Sequence, residues 1–185
     1  MDQEKQRWLL KIDLSELEYA MENASWEHSY YLDRETGNML LVAEETRRQL
    51  EELMGEVDKI KAGEEEQDLE SALSQADLPD WQKNALRDAN EVEEGFGTRY
   101  ISIPNADSGE AYNDMEDLIE TVRDQRLQEQ LWCAINGSHP FRRFKDVLVD
   151  NSIERERWFS LKNSRIHERA LEWLEEEGIE LPGAG

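Results

Sequence analysis

The segment HSYYLDRETGNMLLVA, residues 28–43, decides the fold class of this chain. Residues 28–33 and 38–43 are two short runs rich in aromatic and aliphatic side chains, and Arg34-Glu35-Thr36-Gly37 separates them. That spacing predicts a β-hairpin in which Gly37 takes the positive φ that a bulged loop needs. A lone hairpin is marginal in water, so a third strand is required. Residues 99–103, RYISI, meet that need and are stopped by Pro104.

Around this small sheet the sequence reads as helix. Leu14, Leu17 and Met21 share one face of a first helix over residues 13–23, with Asp13 or Ser15 as its cap. After Glu44, Leu50, Leu53, Met54, Val57 and Ile60 recur at helical spacing as far as Gly63. Glu64-Glu65-Glu66 then reads as a solvated start to a helix carrying Leu69, Ala72 and Leu73. Pro79 opens a helix with Trp81, Ala85, Leu86 and Ala89, which ends before Gly95-Phe96-Gly97. Tyr112 to Val122, Leu127 to Ile135 and Pro140 to Leu148 mark three more. Beyond Ile153 the apolar residues scatter around a single cylinder, whereas a fresh start near Asn163 or Ser164 puts Ile166, Ala170, Trp173 and Leu174 together. A break is therefore expected there, with Gly178 closing the last helix. The fold class is α+β, predominantly helical, with a small antiparallel sheet made of the hairpin plus a third strand. Residues 1–181 are expected to form a single compact domain and 182–185 a loose tail.

Composition excludes several classes of function. No apolar run approaches the roughly 20 residues that cross a bilayer, and the first eleven residues lack a basic leader ahead of an apolar stretch. A cytoplasmic location is the expectation. Cys133 is the sole cysteine, which rules out an intrachain disulfide, and its apolar neighbours suggest a small buried hydrophobe. The formal charge of −23 repels phosphates and anionic lipid heads at long range. Nucleic acid would have to be met by a local patch of opposite sign.

Catalytic motifs are missing in specific ways. His167-Glu168 begins like a zinc-protease helix, but Leu171 stands where the second histidine belongs. Neither a phosphate-binding glycine loop, a nucleophile elbow nor a cysteine pair occurs. The acidic run 105–117 lacks the alternating ligands and central glycine of a calcium loop, and reads better as loop and helix cap. No catalytic residue, metal ligand or cofactor is assigned.

One stretch runs against the overall charge. Residues 138–170 hold eight cations against five carboxylates. Within it, GSHPFRRFKD, residues 137–146, sets Arg142, Arg143 and Lys145 near a helix start fixed by Pro140, whose open N–H groups favour anions. These three, with Arg155 and Arg157, form the candidate ligand-binding set. The bland alternative is pairing with the protein's own carboxylates, Asp146 lying one turn from Arg142. Trp132, Trp158, Phe159 and Trp173 read as core aromatics rather than base-stacking platforms.

The blocks Tyr31-Leu32-Asp33 with Thr36-Gly37, Tyr100 to Pro104, Ala134 to Gly137 leading into Phe141-Arg142-Arg143-Phe144-Lys145-Asp146-Val147-Leu148, Arg157-Trp158-Phe159, and Ala170 to Leu174 with Gly178-Ile179 together resemble the bacterial Uncharacterised Protein Family 0158. The likeness runs over most of the chain and is weakest in the acidic middle, 62–82. It implies a soluble bacterial protein and brings no activity, substrate or catalytic residue with it.

Three functions follow from these readings. The first is a non-catalytic cytoplasmic binding or regulatory protein that engages an anionic ligand or acidic partner through the basic patch. The second is an acidic protein, chiefly over residues 44–77, that binds a basic partner or mimics nucleic acid. The third is a hydrolase with an unmotifed carboxylate site, which requires a deep pocket holding two carboxyl groups, one with a strongly raised pKa. The partner itself stays unknown at this level.

Overall fold

A computed structural model describes residues 8–60 and 68–182. The Glu64-Glu65-Glu66 helix start and the last three residues of the tail lie outside the described residues. The backbone gathers into two compact units. One takes the described parts of Met1–Asn105 and Gly178–Gly185, and the other is Ala106–Glu177.

In the first unit the hairpin forms as its sequence predicts. β2 (His28–Asp33) pairs antiparallel with β3 (Met39–Ala43), after a short β1 (Trp8–Leu9) and α1 (Leu14–Asn23). Gly37 has φ +77°, and a Cβ there would come 2.6 Å from the Lys11 carbonyl oxygen, so the turn needs glycine on both counts. The N–H of Gly37 closes the loop on the Asp33 carbonyl at 2.8 Å. β4 (Tyr100–Ser102) joins β2 on its other side, giving the order β3-β2-β4. The strand is shorter than the 99–103 run, although backbone hydrogen bonds continue from Ile103 to Tyr30 and from Arg34 to Arg99.

Three helices stand between β3 and β4 in the chain: α2 (Glu44–Ile60), α3 (Leu69–Gln75) and α4 (Asp80–Gly95). Leu50, Leu73, Leu86, Ala89 and Val92 from them pack with Tyr31, Val42 and Tyr100 of the sheet as one core. Asp13 caps α1 by accepting from the N–H groups of Ser15 and Glu16, and Asp68 does the same for α3 through Ser71. Arg87 on α4 grips Glu70 on α3 through two hydrogen bonds of 2.7 and 3.0 Å. Asp33 is buried and takes both prongs of Arg99, which fastens β4 to the hairpin turn. β5 (Ile179–Glu180) returns to pair in parallel with β1, so the first unit contains both ends of the described chain. This two-residue pairing is too short to leave a periodic signal in the sequence.

The second unit is four helices, α5 (Ser108–Glu120), α6 (Gln125–Ile135), α7 (Pro140–Val149) and α8 (Ser152–Glu176), each packed on the next and α8 back on α5. Met115, Ile119, Leu131, Ile135, Phe144, Leu148 and Trp158 fill the centre. Trp158 meets Phe144 edge to face, with ring centroids 4.9 Å apart. Trp173 is buried and Trp132 partly buried, but Phe159 is exposed.

Two expectations are corrected here. α8 runs unbroken through Asn163 and Ser164. Its apolar residues scatter only while Arg165 and Arg169 are assigned to the solvent face. Both are partly buried against α5, and with them Trp158, Leu161, Arg165, Arg169 and Trp173 follow one another every three or four residues along one stripe. Cys133 is exposed. It sits two residues from Leu131 on α6, about 200° around the helix, while Leu127, Leu131 and Ile135 form the buried stripe. Among the described residues no helix is long and apolar enough to cross a membrane.

Candidate functional site

α7 begins in an unusual way. His139 stands at its N-cap with φ 55° and ψ 54°, in the left-handed region, Pro140 occupies the first turn, and no side chain caps the helix. Phe144 and Leu148 anchor α7 in the core, leaving Arg142, Arg143 and Lys145 exposed. Arg142 is 84% exposed and its nearest carboxylate, Asp146, is 4.0 Å away. At that distance and exposure the pair contributes between nothing and about 1 kcal/mol. Among the described residues neither Arg143 nor Lys145 has a carboxylate within 4.0 Å.

The five cations of the candidate set do not share one surface feature. Arg143 lines an open groove of about 760 Å³ between α6 and α7, along with Arg126, Glu129, Cys133, Asp146 and Asp150. Its guanidinium lies over Gly137, where a Cβ would come 1.8 Å from Nη1. This places the charge at the C-terminal end of α6, where the helix macrodipole favours a cation. Arg155 donates to the carbonyl of Val149, the last residue of α7. Arg157 bonds Glu154 and the hydroxyl of Thr121, the C-cap of α5, and lines a second groove of about 820 Å³ with Asp117, Glu120, Glu156 and Arg165.

A regularity emerges that sequence reading missed. The ends of α5, α6 and α7 have no basic residue in their own last turn, and each receives an arginine from elsewhere in the unit. Much of the local basicity of residues 138–170 thus serves helix ends and ion pairs. Lys145 and Arg142 are the members left facing solvent, with Arg143 at the groove rim.

The acidic run 105–117 is likewise occupied. Asp107 caps α5 through the N–H of Gly109 at 2.7 Å. Asp114 is buried and bonds Arg169, Arg165 bonds Asp117, and Arg169 also pairs with Glu110. No group of three metal-ligating side chains occurs among the described residues. On α4, burial pushes the Asp88 carboxyl up, with Glu91 adding repulsion. Asp88 lines neither groove, nor the smaller one of about 330 Å³ formed by Gln49, Glu52, Leu53, Asp77, Leu78 and Gln82.

Residues 68–182, which carry α3 to β5, match the model of an Uncharacterised protein family, UPF0158. The chain belongs to the UPF0158 family. It is also similar to a UPF0158 protein of Pseudomonas aeruginosa, 25% identical over 171 residues that cover 92% of this chain and 86% of the other. No solved structure matches. The UPF0158 region takes in all of the four-helix unit with its α7 cations, as well as α3, α4 and β4 of the first unit. Neither comparison attaches an activity to any of these residues.

Proposed function

We propose that this UPF0158 member is a cytoplasmic binding or regulatory protein that engages an anionic ligand, or an acidic surface of a partner, through Arg142, Arg143 and Lys145 on α7. The observation that carries this reading is the state of these cations. In a chain of net charge −23, where arginines such as Arg87, Arg99 and Arg169 are each taken up by a carboxylate, the α7 group stays exposed with one contact at the 4.0 Å limit. The uncapped start of α7 adds N–H donors to the same end of the helix. Arg155 and Arg157, engaged at the ends of α7 and α5, support the scaffold in this reading rather than the ligand. The hydrolase alternative draws no support from Asp88, the carboxyl raised by burial, because it opens into none of the three grooves.

The test is affinity capture from bacterial lysate at low and moderate salt, with the wild type beside Arg142→Ala/Arg143→Ala and Lys145→Ala. Both variants should keep the wild-type circular dichroism. A partner or anion retained by the wild type and lost by the α7 variants supports the reading. Retention of the same partner by all forms sinks it.

A further inference from the structure

Asn136-Gly137, in the link between α6 and α7, is the one Asn-Gly pair in the sequence, and its surroundings leave it open to reaction. Asn136 is exposed, and its side-chain amide nitrogen donates to the carbonyl of Trp132 at 2.9 Å. Gly137 has no Cβ to hinder its own nitrogen, and among the described residues the N–H of Gly137 makes no hydrogen bond. The guanidinium of Arg143 lies directly against this glycine, in room that a Cβ would take: Nη1 would be 1.8 Å from it and Cζ 3.1 Å. A cation there favours loss of the proton from the Gly137 nitrogen.

Asn136 is the C-cap of α6, with φ −77° and ψ −1°. Rotation about ψ, with release of the exposed bond to Trp132, brings the Gly137 nitrogen up to Cγ of Asn136. The buried stripe of α6 ends at Ile135, so this movement leaves the core in place. Asn151 and Asn163 are different. They are followed by Ser152 and Ser164, whose Cβ atoms hinder the nitrogen and which belong to α8, where the backbone is held.

We propose that Asn136-Gly137 is a self-modifying site, which converts to aspartyl- and isoaspartyl-glycine and thereby ties up Arg143. The Gly137 nitrogen gives up its proton and bonds to Cγ of Asn136, the Cγ–Nδ2 bond breaks, and the amide nitrogen leaves as ammonia. Water then opens the succinimide at either carbonyl, leaving a carboxylate at position 136 with nothing oxidised or reduced. The new anion stands at the C-terminal end of α6, where the macrodipole opposes it, and the guanidinium of Arg143 already lies on the next residue. Pairing with it withdraws Arg143 from the α7 cations, so that aged protein binds anions more weakly than fresh protein. That last consequence rests on the anion-binding reading above, whereas the modification and the pairing do not.

The experiment holds the full chain at mildly alkaline pH and follows tryptic peptide 127–142, in which Asn136 is the sole asparagine, by mass spectrometry. Asn136 should exchange amide for acid about tenfold faster than Asn151 or Asn163, and Gly137→Ala should slow it about tenfold. Conversion of Asn136 no faster than that of Asn151 and Asn163 overturns the proposal, as does an undiminished rate in Gly137→Ala. The pairing is read separately from the Nε–H resonance of Arg143 by NMR. In aged protein and in Asn136→Asp this resonance should shift as pH falls through about 4, where a carboxylate titrates, and by more than it does in Asn136→Gln. Equal shifts in aged protein and in Asn136→Gln overturn the capture of Arg143. Both readouts proceed without a ligand, so a failed capture from lysate counts against the α7 reading and leaves these results standing.

Discussion

Replacing Arg169 should cost more stability than replacing its buried partner Asp114, although the two share one ion pair. Asp114 has a side chain 6% exposed, and it takes Arg169 at 2.9 Å while Nε of Arg165 stays 3.6 Å away, beyond hydrogen-bond range. Arg169→Ala therefore leaves a buried carboxylate with no close donor from α8. Breaking a buried pair this way costs about 3–5 kcal/mol, and the 22% exposure of Arg169 lowers the expectation to about 2–3 kcal/mol. Asp114→Ala leaves Arg169 with Glu110 at 3.0 Å and with access to water, so about 1 kcal/mol is expected from the lost hydrogen bond. The double variant should lose less than the sum, because the stranded charge is gone. Urea unfolding at neutral pH, read by circular dichroism and tryptophan fluorescence, measures all three. Equal losses for the two single variants, or a larger loss for Asp114→Ala, would refute the argument that α8 is held on α5 by supplying a donor to a buried acid.

Three further outcomes are expected. Burial, and then the hydrogen bond to Glu91, push the Tyr100 hydroxyl up to about 12 from an ordinary value of 10.0. Because the folded form holds its proton longer, stability is fully present below pH 10 and falls by about 2–3 kcal/mol as pH rises to 12, and Tyr100→Phe should flatten that alkaline loss in pH-dependent urea titrations. Burial raises the Asp33 carboxyl, but Arg99, the N–H of Glu35 and the Thr36 hydroxyl outweigh it and hold the group below its usual 3.8. Its contribution is present above that value and is lost as pH falls through the lower folded-state value, so Asp33→Asn should be destabilised by about 1–3 kcal/mol at pH 7 and show a shallower acid transition. We also propose that residues 1–181 unfold as a single domain, since the second unit is inserted within the first and β1 and β5 pair from the two sides of that insertion. Calorimetry should show one transition with equal calorimetric and van't Hoff enthalpies, and two resolved transitions would count against it.

Local chemistry made a good part of this fold legible. The Asp68 cap of α3 was not read from the sequence, but Gly37 between two apolar runs could be read as a hairpin because a bulged turn demands positive φ there. Asp13 and Pro79 could be read as helix starts, the first because backbone N–H groups need a partner and the second because proline suits the start of a helix. The same is true of α7, whose Pro140 and Phe144 were readable as start and anchor. The misses share a cause. Arg165 and Arg169 looked like solvent residues and split α8 in two, because their burial depends on carboxylates some fifty residues away on α5. Cys133 looked buried from its neighbours in sequence, while its direction was set by which face of α6 meets α7.

For the candidate site the division is sharper. The sequence by itself determined that Arg142, Arg143 and Lys145 stand together near a helix start in an otherwise acidic chain, since spacing along one helix is a local property. Only the tertiary structure decided that Arg143, Arg155 and Arg157 go to three different helix ends, and that among the described residues β3 pairs with β2 on one side of the sheet. Those outcomes depend on which helix end or strand edge the rest of the chain covers, and no nearest-neighbour pattern encodes that.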